Sequence, residues 1–131
     1  MNMSLLDLQN YIESVEYDAK MSVFSGFNSF LSAVQEEPII HHLITILSED
    51  DSARQAVFQH FLYLLPLNSD LGYAHPYDIA LSSYLYALEQ TDTALASEAA
   101  KAVVQRKDLS WSRRLAQTIQ ENHKVNSGPV E

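Results

Sequence analysis

Residues 49–106 decide the fold, and they read EDDSARQAVFQHFLYLLPLNSDLGYAHPYDIALSSYLYALEQTDTALASEAAKAVVQR. A short acidic turn at Glu49 to Asp51 precedes an apolar helix that Pro66 ends. After the loop 67–74, a helix led by Pro76 and rich in tyrosine follows, and an alanine-rich helix follows that one. Short connections between consecutive helices favour antiparallel neighbours. The stretch therefore predicts helices that pack side by side.

The first of these helices, residues 52–65, is apolar on more than one side. A helix of this kind in a globular protein is enclosed by its neighbours. The sequence therefore predicts that residues 52–65 form the central helix. Its apolar positions are Val57, Phe58, Phe61, Leu62, Leu64 and Leu65.

The flanking segments carry helix signals of their own. Ser4 and Asp7 fit a capping box, and apolar residues then recur at spacings of three and four as far as Val34. We expect two helices here, interrupted near residues 17–21 or loosened at Gly26. A short helix should follow Pro38 and stop near Ser48, with Asp51 as a plausible N-cap of the next helix.

The C-terminal third is predicted to hold one more helix. Thr91 or Asp92 should cap the alanine-rich helix, and a last helix should run from about 109 to 122, capped by Asp108 or Ser110. Residues 123–131 include Asn126, Ser127, Gly128 and Pro129 and are predicted to form a flexible tail. We therefore expect one domain in residues 1–122.

Length and composition support one all-α domain. The 131 residues are enough for a single core, and 3 Gly and 4 Pro leave little material for hairpin turns. We expect six or seven antiparallel helices packed as stacked helical hairpins, with an irregular helical bundle as the alternative. The chain has no cysteine, which excludes disulfides and thiolate metal sites.

Residues 38–65 and 76–104 each read as a Pro-led helix, an acidic turn and a second helix. The Asp-x-Ala-Arg-x-Ala of residues 51–56 is similar to the entry into the second helix of HEAT-type repeats. The second unit has no arginine at the matching place. The resemblance covers at most two units, and it implies hairpins stacked side by side rather than a symmetric four-helix bundle.

The formal net charge of −9 is unevenly distributed. Up to Glu98 there are 14 acids against Lys20 and Arg54, whereas residues 99–131 hold 6 bases and 3 acids. An acidic face repels nucleic acid and anionic lipid and speeds the approach of basic partners. The acidic N-terminus lacks the pattern of a signal peptide and no stretch is long enough to span a membrane, so we expect a cytoplasmic protein without a membrane contact.

Histidines are the sharpest candidates for chemistry. Glu37 and His41 are four residues apart and share a helix face, and His60 on another helix could complete a metal site. A metal-dependent hydrolase using His41, His42 or His60 is therefore one alternative function. No H-E-x-x-H motif is present, and adjacent histidines point about 100 degrees apart on a helix, which argues against one shared ion.

Two further groups carry charge at helix ends. His75 and Asp78 could form an acid and base pair, but a histidine beside Pro at the start of a helix is better explained as a capping or turn residue. The basic cluster is Arg106, Lys107, Arg113 and Arg114. It makes nucleic-acid contact a third function, which the acidic remainder of the chain opposes. The opposite charges of the two regions also permit a homodimer.

The composition and the motifs together predict a protein-binding module rather than an enzyme, with no cofactor. It would cover a basic surface of its partner, as an inhibitor or an immunity-type protein does. Tyrosine is enriched where proteins meet. The predicted interface joins the acidic turn to the loop before the tyrosine-bearing helix, and its residues are Glu49, Asp50, Asp51, Asp70, Tyr73, His75 and Tyr77.

Overall fold

The all-α prediction is confirmed. The structure is a computed structural model that describes residues 4–21, 24, 26–67, 76–106 and 109–127, and within these residues it holds eight helices and no strand. The helices are α1 (Leu5–Ile12), α2 (Val15–Met21), α3 (Phe27–Glu36), α4 (Pro38–Glu49), α5 (Asp51–Leu67), α6 (Pro76–Thr91), α7 (Thr93–Val103) and α8 (Ser110–Ser127).

The first predicted helix is two helices, because serine side chains start both of them. The Asp7 amide donates to Ser4 Oγ at 3.1 Å, and the Ser4 amide donates to Asp7 Oδ2, which completes the predicted capping box. The expected interruption at Gly26 is confirmed, because Gly26 is the N-cap of α3, whereas residues 17–21 are helical. The chain also breaks at Glu13 and Ser14, which was not predicted. There the Tyr17 amide donates to Ser14 Oγ at 3.2 Å and so begins α2.

One aspartate separates the helices of each predicted hairpin. Asp50 lies between α4 and α5, and its Oδ1 accepts from the Ser52 amide at 2.9 Å. Asp92 lies between α6 and α7, and its Oδ1 accepts from the Leu95 amide at 3.1 Å. Asp92 is thus the predicted cap, whereas the prediction for Asp51 was wrong by one residue. Asp51 is already the first helical residue, where its charge suits the helix dipole.

The central helix is α6, not the predicted α5. Helix α6 packs against α2, α4, α5, α7 and α8. Every residue from Asp78 to Leu85 is buried, whereas α5 exposes Gln55, Gln59 and Tyr63. Two of these buried residues are serines, Ser82 and Ser83.

Those two serines satisfy their hydroxyls within their own helix. Ser82 Oγ donates to the Asp78 carbonyl at 2.8 Å and Ser83 Oγ donates to the Ile79 carbonyl at 3.0 Å. A buried hydroxyl that has a partner carries little penalty. Serine can therefore occupy the enclosed faces of α6, and its small size lets neighbouring helices approach.

Helix α8 is longer than predicted. It continues to Ser127, five residues beyond the predicted end at Asn122, because no Gly or Pro interrupts the chain before Gly128. The flexibility expected for residues 123–131 stays a prediction. The side-by-side stacking of the α4–α5 and α6–α7 pairs as HEAT-type units also stays a prediction.

Candidate functional site

The acidic turn between α4 and α5 is exposed. Glu49, Asp50 and Asp51 all lie at the surface, and the Asp51 side chain is 72% exposed. Because Asp50 also caps α5, the backbone of the turn is fixed in place. Three carboxylates are therefore presented side by side on a short, ordered connection.

Arg54 lies half-buried beneath this turn and ties it to the second hairpin. Its Nη1 donates to the Leu47 carbonyl at 2.7 Å, near the end of α4, and its Nη2 donates to Asp51 Oδ1 at 3.1 Å. Its Nε lies 3.6 Å from Asp92 Oδ2 in the α6–α7 turn. One guanidinium thus holds both aspartate turns at the same end of the molecule.

The second hairpin has no arginine at the corresponding place. When the capping residues Asp50 and Asp92 are aligned, the position that matches Arg54 is Ala96, so the second hairpin has no guanidinium of its own there. Arg54 offsets part of the charge of Asp51 and Asp92, whereas no cation lies within ion-pair distance of Glu49 or Asp50 among the residues that the structure describes. The end of the molecule that carries the two turns is therefore net negative.

The other half of the predicted interface cannot be placed. Asp70, Tyr73 and His75 lie outside the described residues, and so does the side chain of Tyr77, whose backbone belongs to α6. Their proximity to the acidic turn stays a prediction.

The structure does not bring Glu37, His41 and His60 together. Glu37 is buried and accepts from Lys20 Nζ at 2.6 Å, and this hydrogen bond raises the pKa of Lys20. His41 Nε2 bonds to the Gln35 carbonyl, at the end of the preceding helix. Within the described residues no group of three or more potential ligands is placed to hold a metal ion.

His60 instead belongs to a polar cluster that the sequence did not reveal. Its Nε2 lies 2.8 Å from Glu13 Oε2, and the Tyr84 hydroxyl donates to the same carboxylate oxygen. Tyr84 is fully buried, and burial with the hydrogen bond to Glu13 raises the pKa of its hydroxyl. The phenol therefore remains a protonated donor. This cluster joins the α1–α2 junction to α5 and α6, over separations of 47 and 71 residues.

The described arginines of the basic cluster have structural partners. Arg106 Nη1 donates to the Leu65 carbonyl at 2.6 Å, and Arg113 Nε donates to the Val104 carbonyl at 3.2 Å. Both arginines thus satisfy carbonyls at helix C-termini, where cations are favoured. Arg114 is exposed, and its guanidinium carbon lies 4.9 Å from the centre of the Phe27 ring. Lys107 lies outside the described residues.

Asp78 accepts hydrogen bonds from the first turn of α8, whereas His75 lies outside the described residues, so both explanations of the pair stay predictions. Asp78 is buried, and its two carboxylate oxygens accept from the amides of Trp111 and Ser112 at 2.9 Å each. Ser112 Oγ also donates to the Asp78 carbonyl at 2.9 Å. Asp78 therefore joins the start of α6 to the start of α8 through hydrogen bonds that are buried or partly buried.

Comparison of the chain with protein-family models, with curated proteins and with solved structures finds no match. None of the helices in the described part of the chain is both long enough and apolar enough to cross a membrane.

Proposed function

We propose that this chain is a non-enzymatic protein-binding module whose acidic α4–α5 turn covers a basic surface of its partner, in the manner of an inhibitor or immunity-type protein. The observation that supports the proposal most is the exposed run of Glu49, Asp50 and Asp51 on a capped turn. Carboxylates in such a position attract cationic side chains without first losing contacts within the protein.

Two properties of the turn favour binding, its fixed backbone and its exposed negative charges. The Asp50 cap and the Arg54 bonds fix the backbone, so little conformational entropy remains to be lost when a partner binds. Exposed charges of one sign also steer a partner of opposite charge, which raises the association rate at low ionic strength. A basic protein is the partner that both effects favour.

The same contacts favour a protein partner over the two other functions considered. Glu37, His41 and His60 each have a different partner, so they offer no shared metal site. Arg106 and Arg113 already bond to backbone carbonyls, which leaves them fewer donors for phosphates. The exposed acids of the turn would in addition repel a polyanion.

Neutralising the turn should slow association with the partner. In the variant Glu49→Gln, Asp50→Asn, Asp51→Asn, asparagine still caps α5, so stability should change little while three negative charges are removed. We expect the association rate to fall about tenfold at low salt, and the difference to shrink at about 0.15 M salt. The partner is first identified by photo-crosslinking from position 49 in native cell extract, and rates are then measured with the purified partner.

A matched control separates the local turn from net charge. Glu16→Gln, Glu36→Gln, Glu98→Gln removes the same three charges from exposed positions on α2, α3 and α7. This control should associate nearly as fast as the original protein. Equal rates for the turn variant and the original protein would contradict the proposal, and so would crosslinks that form equally well from Gln117 on α8.

A further inference from the structure

Tyr63 is the one large aromatic side chain that is strongly exposed among the residues that the structure describes. It is 62% exposed on α5. Its ring lies nearly parallel to that of His60, with the centroids 6.2 Å apart and an interplanar angle of 23°. An exposed ring held by a neighbouring ring has lost part of its rotamer freedom before any partner arrives, which lowers the cost of binding.

His60 also contacts the carboxylate of Glu13. Both hydrogen bonds that this carboxylate makes within the described residues end on its Oε2, one with His60 and one from Tyr84. The Glu13 side chain keeps 21% of its exposure, and its Oε1 has no donor among those residues. Because Tyr84 is buried in α6, it fixes the carboxylate against the centre of the fold.

We propose that Tyr63, His60 and Glu13 form a surface binding site, here called the subsite, for an arginine side chain of the basic partner. A guanidinium is planar, stacks on aromatic faces and donates hydrogen bonds to carboxylate oxygens. The subsite offers an exposed aromatic ring and a carboxylate oxygen that has no donor among the described residues, with His60 in contact with both groups. Lysine lacks the planar group and fits this arrangement less well. The inference rests on the proposed function, since it names the residue type that the partner presents.

The subsite lies on the same helix as the acidic turn. The exposed positions Ser52, Gln55, Gln59 and Tyr63 follow one another at spacings of three and four, which makes one stripe along α5. Tyr63 is twelve residues from Asp51, or about 18 Å along the helix axis. The stripe residues between the two ends, Ser52, Gln55 and Gln59, carry no charge. A single basic segment can therefore place one cation against the turn and an arginine against Tyr63.

The test uses two synthetic probes with the full chain. One is a fluorescent peptide of alternating arginine and alanine, and the other carries lysine at every arginine position. We expect the original protein to bind the arginine peptide more tightly. Tyr63→Ala should weaken binding of the arginine peptide about two- to fivefold, which corresponds to a cation–π contact of about 0.5 to 1 kcal/mol at an exposed site, and should weaken binding of the lysine peptide less. Tyr63→Phe should retain binding because it keeps the ring.

Glu13→Gln serves as the second variant, because a glutamine oxygen can still accept from Tyr84. Glu13→Gln should lower the affinity for the arginine peptide and preserve the helical circular-dichroism spectrum of the protein. Equal affinity for the two peptides, or no effect of Tyr63→Ala, would overturn this inference. If the variant Glu49→Gln, Asp50→Asn, Asp51→Asn lowered the affinity for both peptides and the Tyr63 and Glu13 variants did not, the subsite would be rejected and the proposed function would stand. If neither peptide bound at all, both proposals would be rejected.

Discussion

Replacing Asp78 by alanine is expected to lower the free energy of unfolding by about 3 kcal/mol. The carboxylate is buried and accepts from two backbone amides of the first turn of α8. Alanine would leave both amides without this acceptor, one in a buried and one in a partly buried position. The expected loss is a large share of the roughly 5 to 15 kcal/mol by which domains of this size are stable.

Asp78→Asn is the matched comparison. Its amide oxygen can still accept one of the two amide hydrogens, so we expect it to lose about half as much stability as Asp78→Ala. Urea unfolding followed by circular dichroism measures both variants against the original protein. A loss below about 0.5 kcal/mol for Asp78→Ala, which is the size of an ordinary surface substitution, would show that Asp78 does not hold α8 to α6.

Leu85→Ala in α6 is expected to cost about 3 to 4 kcal/mol, whereas Leu62→Ala in α5 should cost about 1 to 2 kcal/mol. Leu85 is fully buried, and α6 has helices on several sides that cannot all close over the missing atoms. Leu62 is only partly buried and faces the edge of the core. The same substitution thus reports how enclosed each helix is.

Urea midpoints, with the slope of the transition checked for constancy, measure the two leucine variants. Equal losses would mean that α5 and α6 are equally enclosed. A larger loss for Leu62→Ala would restore α5 as the central helix, as its apolar sequence suggested.

Local signals in the sequence predicted most of the helices. The capping box at Ser4, Pro38 at the start of α4 and Asp92 before α7 each act within one helical turn, so their effect can be seen in neighbouring residues. The break at Ser14 was missed because the apolar spacing continues across it. There a single serine hydroxyl decides where α2 begins.

The enclosure of α6 could not be predicted from apolar spacing alone. Ser82 and Ser83 count as polar in any such pattern, yet their hydroxyls are satisfied by carbonyls one turn earlier. For α5 the apolar pattern predicted too much burial. Its apolar residues cover several sides, which predicted an enclosed helix, yet Tyr63 is exposed. Burial of a helix depends on what surrounds it as well as on its own composition.

Local sequence signals likewise predicted one part of the candidate site and missed the other. Exposure of Glu49, Asp50 and Asp51 follows from a run of charges at a helix junction, and the sequence predicted that surface. The Glu13, His60 and Tyr84 cluster joins three distant segments, so no local pattern could reveal it. The sequence identified His60 as noteworthy and assigned it the wrong neighbours.

Both proposed surfaces depend on α6. Asp92, directly after α6, forms an ion pair with Arg54, which lies beneath the acidic turn. Tyr84 of α6 donates a hydrogen bond to Glu13, which contacts His60. The central claim is therefore that α6 is the most stable helix and holds both surfaces in place.

Native-state hydrogen exchange tests this claim most directly, because it measures the opening free energy of each helix separately. We predict that the amides of residues 81–88 exchange only when the whole chain unfolds, and that those of α1 and α2 exchange through smaller openings. Faster exchange in α6 than in α5 would contradict the account.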